Sequence, residues 1–329
     1  MECQVFFPQI SVVWPDLIFC SRVKPLIKYI INFQLFMFYI LYVFIWIITW
    51  LPLRVLYLIS DIFFPVVYYI VGYRKNVVRL NLTRSFPDKT VKERRTIERR
   101  YYHFLCDLIV ETIHEMHISE KDILRRMTFG NLQDIVEQNA LNKSVMIMTA
   151  HYGNWEWLLA FSLYLPEKQP SNPIYKRLRN ERFDKLFHQL RSRYGAKLIE
   201  KKDLLRVMFK FQKEKQVANF WMISDQTPNG KNLHYWTTFL NQDTATVTGT
   251  EQLARKFDYP VFYAEINRVK RGYYHCEFIP ITLEPTKTAE FEISEQYMRL
   301  LEKSIEAHPE FWLWSHRRWK YQRNQETVN

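Results

Sequence analysis

Residues 29–53 contain no Asp, Glu, Lys or Arg, and no other property of the chain limits its possible folds so sharply. The run reads YIINFQLFMFYILYVFIWIITWLPL. As a helix rising about 1.5 Å per residue it reaches roughly 38 Å, more than the ~30 Å of hydrocarbon in a bilayer. Trp46 and Trp50 stand near one end and Tyr29 at the other, positions that suit membrane interfaces. A buried helix of a soluble protein rarely goes so far without a polar face, so the run is expected to span a membrane. The apolar stretch 55–72 contains Asp61 and Pro65, which argue against a second full span. It is expected to lie at the interface or to pack against the rest of the protein. Arg54, Arg74, Lys75, Arg79 and Arg84 follow the run, whereas Arg22, Lys24 and Lys28 precede it. That excess places the C-terminal side in the cytoplasm. The start of the chain lacks the positive region of a secretory signal. The organisation is therefore an N-terminal extension (1–28), a membrane anchor with an interfacial segment (29–72), and one large domain (73–329).

The 48% apolar content and only 7 glycines exclude disordered and collagen-like chains. The formal net charge is +12, which calls for an anionic partner: phospholipid headgroups, an acidic carrier protein or nucleic acid. Cys3, Cys20, Cys106 and Cys276 form no CxxC pair, so a disulfide scaffold or cysteine zinc site is not expected, and a reducing compartment is.

Beyond residue 73, residues 87–127 read as charge-rich helix, with Tyr102, Leu105, Ile109 and Ile113 at helical spacing. Strand-type segments at 145–148, 196–199, 217–223 and 260–266 alternate with helical ones at 154–165, 180–194, 203–215 and 246–257. Such alternation predicts an α/β fold with a largely parallel sheet flanked by helices. Sites in these folds gather at the carboxyl ends of the strands.

At such an end stands His151-Tyr152-Gly153-Asn154-Trp155-Glu156. Within one continuous α-helix, positions five apart lie about 140° around the axis and do not meet. With Gly153 allowing a turn and Asn154 capping the next helix, His151 falls outside it, and Glu156 could fold back onto the imidazole. A carboxylate on one ring nitrogen fixes the tautomer, and the other nitrogen becomes a general base. A histidine merely hydrogen-bonded in the core would look the same over these six residues. Other strand-end or cationic features are Lys176, Arg177 and Arg179, then Asp225-Gln226, and the C-terminal block Phe311-Trp312-Leu313-Trp314-Ser315-His316-Arg317-Arg318-Trp319-Lys320. Together they suggest one cationic cleft near a membrane. The Glu111-Thr112-Ile113-His114 pair lacks the second pair a di-iron bundle needs, and no metal is expected.

Five ordered blocks carry a resemblance. They are the apolar helix ending in Leu51-Pro52-Leu53; Tyr73-Arg74-Lys75-Asn76-Val77-Val78-Arg79-Leu80-Asn81-Leu82 leading to Phe86-Pro87; the His151–Glu156 motif; Asp225-Gln226-Thr227-Pro228; and the Trp312-to-Lys320 stretch. On these the chain resembles the late lipid A acyltransferases, the lauroyl/myristoyl transferases of lipopolysaccharide biosynthesis, within the glycerolipid acyltransferases that share a His-four-Asp/Glu motif. The chain departs from that pattern at Tyr175-Lys176-Arg177, where members often have Tyr-Arg-Pro or Tyr-Lys-Pro, and at Phe239-Leu240-Asn241.

The resemblance implies that residues 73–329 are an acyltransferase domain on a single-pass anchor in a bacterial inner membrane, facing the cytoplasm. It implies transfer of a fatty acyl chain from an acyl-carrier-protein thioester (or acyl-CoA) to a hydroxyl of a lipid A precursor, without metal or redox cofactor. His151 would be the base and Glu156 its orienting acid. Asn154, Lys176, Arg177, Arg179, Asp225, Gln226, Arg317 and Arg318 would bind or position substrate. The expected partners are an acyl carrier protein, the lipid acceptor and the inner membrane, not nucleic acid. Two alternatives stay open: a different lipid acceptor, such as an aminolipid or a glycosylated phospholipid, and a non-enzymatic basic protein that binds membranes or nucleic acid.

Overall fold

The computed structural model describes residues 36, 40, 42–166, 169–178, 180–230 and 233–323. The expected spanning run therefore falls largely outside the described residues; its described end is helical over 42–48. Helix α1 (Leu53–Pro65) follows and continues as a π-helical turn, Val66–Val71, that stops at Gly72 in the left-handed conformation. Leu53, Leu56, Tyr57 and Ser60 form its buried stripe, the i, i+3, i+4, i+7 pattern of a helix packed on one side. The other side is apolar as well, with Ile62 70% and Ile70 79% exposed. Leu53–Val71 is long and apolar enough to cross a membrane by length and composition.

This stretch also packs against the domain, as the sequence suggested. Its one acid, Asp61, is bound by Arg271 and lies 2.8 Å from His103, so the charge that argued against burial in lipid is paired. Ser60 donates to Asp107 at 2.8 Å, and Arg268 holds the same carboxylate at 3.0 Å. Asp61, His103 and Asp107 bring ligand-type atoms within 4.8 Å of one another, but the two arginines already neutralise the carboxylates.

Helices α2 (Lys75–Ser85) and α3 (Val91–His114) come next. Thr90 and Glu93 form a reciprocal capping box that starts α3. After α4 (Glu120–Arg126), the strands β1 (Met127–Gly130), β2 (Val145–Thr149), β3 (Ser171–Tyr175), β4 (Ile199–Glu200), β5 (Asn219–Ile223), β8 (Val261–Lys270) and β9 (Tyr273–Thr282) form a seven-stranded sheet in the order β1-β9-β8-β2-β5-β3-β4. Every adjacent pair is parallel except β8–β9, a hairpin through Gly272. The largely parallel α/β sheet is thus observed, with an antiparallel turn-back near one edge. Between β5 and β8, the strands β6 (Tyr235–Phe239) and β7 (Gln242–Thr246) make a separate hairpin. Leu240 and Asn241 both have positive φ there, the two-residue turn that matches strand twist.

The connecting helices are α5 (Leu132–Ala140), α6 (Glu181–Ser192), α7 (Leu204–Lys213), α8 (Gly249–Phe257) and α9 (Glu292–Ala307). The expected helix at 154–165 is a 3-10 helix, Glu156–Tyr164. Strand β2 is buried along its whole length between β8 and β5, as a central parallel strand requires.

Candidate active site

The chain leaves β2 at Thr149 and turns at Gly153, whose φ is +59°. A Cβ built there would stand 2.7 Å from Ile266 Cγ2, so both the backbone conformation and the space require glycine. Asn154 lies just before the N-cap Trp155 of the 3-10 helix, its Oδ1 accepting from Trp157 N at 3.2 Å. Its Nδ2 donates at 2.8 Å to Glu111, a fully buried acid on α3 that also accepts from Tyr57 (2.6 Å) and Tyr274 (2.8 Å). The C-terminal segment clamps the turn from the other side. Leu313 N donates to His151 O at 3.1 Å, and Gly153 N donates to Phe311 O at 3.0 Å. His151 is therefore fixed outside the helix, as the glycine predicted.

The acid hydrogen-bonded to Nδ1 of its ring is Asp225. Asp225 follows β5, the parallel neighbour of β2, so the two strand ends lie side by side. Its Oδ1 is 2.8 Å from His151 Nδ1, and its Oδ2 accepts from His151 N at 3.1 Å and from Trp312 Nε1 at 2.9 Å. Burial pushes the Asp225 carboxyl up, but the His151 charge and hydrogen bond, then Trp312 and His316, outweigh it and leave it below the usual carboxylate range. An ionised Asp225 makes Nδ1 the protonated nitrogen and Nε2 the basic one. The His151 side chain is 12% exposed, so the ring is held inside yet reachable. Trp155 packs edge-on against it at 5.1 Å, and the Gln226 amide nitrogen lies 3.2 Å from Nε2.

Glu156 is gripped by Arg191 on α6, through Nη2 at 2.7 Å and Nε at 3.0 Å. Burial again pushes the carboxyl up, and Arg191 first, then the His151 charge and Trp155, bring it below the ordinary value. Glu156 thus stays ionised next to the histidine while its oxygens are held by arginine. Glu115, packed behind it, is pushed well up by burial and by the Glu156 charge, which favours its neutral form.

The remaining expected site residues separate. Lys176 and Arg177 are exposed just after β3, at the same end of the sheet, with Arg177 3.5 Å from Asp184. Arg179 lies outside the described residues. Arg317 is exposed, whereas Arg318 is 2% exposed, and its Nε and Nη2 have no hydrogen-bond partner among the described residues. Burial pushes the Arg318 guanidinium down to about 10, against the opposing pull of Asp225 and Tyr297. It acts on Asp225 through charge. His316 accepts from Thr227 N at 3.2 Å and is pushed down to about 4, by burial first, which keeps it neutral at pH 7. Glu111, Arg191 and Trp312 were not read as site residues from the sequence. Glu111 and His114, noted as a possible metal pair, face the tyrosines and Thr49 O, respectively.

Comparison with known proteins identifies the family. The family described as bacterial lipid A biosynthesis acyltransferase matches residues 28–321. A lipid A biosynthesis lauroyltransferase of Escherichia coli (strain K12) is 25% identical over 287 residues, covering 83% of this chain and 91% of the relative. A lipid A biosynthesis palmitoleoyltransferase of the same strain is 23% identical over 286 residues with the same coverage. A lipid A biosynthesis acyltransferase of Shigella flexneri is also 23% identical. With its family match running from the apolar segment through the C-terminal clamp, the chain belongs to the bacterial lipid A biosynthesis acyltransferases and is an acyltransferase.

Proposed function

We propose that the chain is a membrane-anchored O-acyltransferase that moves a fatty acyl chain from an acyl-carrier-protein thioester to a hydroxyl of a lipid A precursor. The observation that carries this reading is the His151–Asp225 pair at the carboxyl end of the central strand, with Nδ1 held at 2.8 Å and the ring partly open. His151 Nε2 takes the proton of the acceptor hydroxyl as its oxygen attacks the thioester carbonyl carbon. The tetrahedral oxyanion collapses, the C–S bond breaks, and the carrier thiolate takes the proton back from the imidazolium. Asp225 stabilises that imidazolium, and ionised Glu156 adds a second negative charge beside it. Such base catalysis contributes about 10²–10⁴-fold. Backbone N–H groups at the Asn154 turn supply donors for the oxyanion. Gln226 positions the incoming hydroxyl at Nε2, and Lys176, Arg177 and Arg317 hold acidic substrate groups at the strand ends. The thioester supplies the driving force, so no metal or redox cofactor takes part.

The exposed apolar face of Leu53–Val71 supports seating in a membrane, and the Arg and Lys excess after residue 53 favours the cytoplasmic side of the inner membrane for the sheet. The +12 charge favours an acidic carrier protein and a phosphorylated lipid. Purified full-length protein, given an acyl-carrier-protein thioester and a lipid A precursor, should yield an acceptor heavier by one acyl group, read by mass spectrometry. Acylation only of an aminolipid or glycosylated phospholipid would overturn the acceptor assignment, and free fatty acid as the sole product would make it a thioesterase.

A further inference from the structure

At the Gly72 end of the apolar helix lies a cleft of about 590 Å3, lined by Tyr68, Tyr69, Lys92, Arg95, Thr96 and Arg99. Lys92, Arg95 and Arg99 recur along one face of α3 and are exposed. Among the described residues none of the three forms an ion pair; the nearby acid Glu98 is held by Arg79 at 3.0 Å. Lys75 adds a fourth cation, its Nζ 3.7 Å from the Tyr68 ring centre and donating to Tyr68 O at 3.0 Å. Burial, then the like charge of Arg79, push the Lys75 ammonium down, with Glu98 opposing and Arg95 adding to the shift. Beside this cleft, Val66, Tyr69, Ile70 and Val71 present an uninterrupted apolar surface.

Cations, an aromatic floor and an apolar flank together suit a ligand with an anionic head and a hydrocarbon tail. The cleft is separate from the catalytic centre. Arg95 lies sixteen residues before Glu111, the acid that holds Asn154, or about 24 Å along α3.

We propose that this cleft binds the phosphate of an anionic phospholipid of the surrounding bilayer. The proposal rests on the membrane placement of Leu53–Val71 given above. Headgroup binding sets the depth and rotation of the domain at the membrane surface, so the lipid acts as a fixed tether while the acceptor visits His151.

The test uses the full chain in neutral detergent, titrated with short-chain phosphatidylglycerol, phosphatidylcholine of equal chain length, or inorganic phosphate, with bound lipid counted by native mass spectrometry. Phosphatidylglycerol should bind at least tenfold more tightly than phosphatidylcholine. The double variant Arg95→Gln/Arg99→Gln should lose about 30-fold in phosphatidylglycerol affinity, at roughly fivefold per cation. Lys213→Gln/Lys303→Gln removes the same charge from exposed positions elsewhere and should leave binding unchanged. An equal loss in that control, no preference between the lipids, or displacement by equimolar inorganic phosphate would each overturn the proposal. Flotation of the wild-type chain with phosphatidylcholine vesicles separates the two readings. Failure to float removes the membrane placement itself, whereas flotation without headgroup preference removes only the tether.

Discussion

Asp225→Asn is the substitution whose effect follows most directly from the geometry. Asp225 accepts three N–H groups on two oxygens: His151 Nδ1 on one, His151 N and Trp312 Nε1 on the other. Asparagine keeps the shape but has a single oxygen. If that oxygen faces Nδ1, the amide NH2 confronts two buried donors, each costing about 1–3 kcal/mol when left unsatisfied. If it faces the two donors, the amide NH2 faces Nδ1, which must then accept. The second orientation costs less by roughly 2–6 kcal/mol, counting two such donors, and it drives the ring proton onto Nε2. The basic nitrogen is then turned inward, and turnover should fall about 10⁴-fold, the cost of a wrong tautomer in an acid–histidine pair. Stability falls too, because the buried Arg318 guanidinium loses the opposing charge of Asp225. Turnover should therefore be measured at low temperature, with the folded fraction followed by near-ultraviolet circular dichroism. Activity within tenfold of wild type in a folded Asp225→Asn protein would refute the tautomer argument.

Arg191→Met frees Glu156 from its two hydrogen bonds and lets burial raise its carboxyl toward and above the ordinary range. The acidic limb of the pH–rate profile should move to higher pH, while a Lys at 191 should restore part of the shift. Glu111→Ala strands Tyr57, Tyr274 and Asn154 as buried donors, and should lower unfolding free energy in urea by roughly 3 kcal/mol or more. His316 titrates near 4 when folded and near 6.5 when unfolded. The unfolded chain binds more protons between those values, so stability should fall as pH drops through that window, by up to about 3 kcal/mol. His316→Asn should flatten that dependence in urea titrations at pH 7 and 4.5.

The parts of the fold that were legible are those with a local cause. The 145–148 run reads as a buried parallel strand because both of its faces are covered, and Gly153 marks the turn because only glycine fits against Ile266. The antiparallel β9 left a fainter mark: Tyr274, Cys276 and Phe278 are buried in alternation, a period-two pattern next to the more obvious β8. Strand β3 carries Pro173 at its centre, which disguises it. The identity of the acid on His151 was hidden by distance, since Asp225 is 74 residues away and meets the histidine only through the pairing of β2 with β5. Glu156 was the nearer acid in sequence, but the turn that frees His151 also delivers Glu156 to Arg191. Its charge still reaches the ring. Arg318 looked like a substrate cation because the sequence cannot tell an exposed arginine from one sealed beside a carboxylate.

Acyl transfer by the proposed mechanism requires His151 as the proton acceptor. The direct measurement is the single-turnover rate of acyl transfer to a lipid A precursor by full-length His151→Ala protein, with membrane association and thermal unfolding recorded on the same preparation. Transfer should drop by at least 10²-fold, the lower bound for loss of a general base, with binding to membranes and cooperative unfolding retained. Transfer at a rate near wild type from that folded, membrane-bound variant would contradict it.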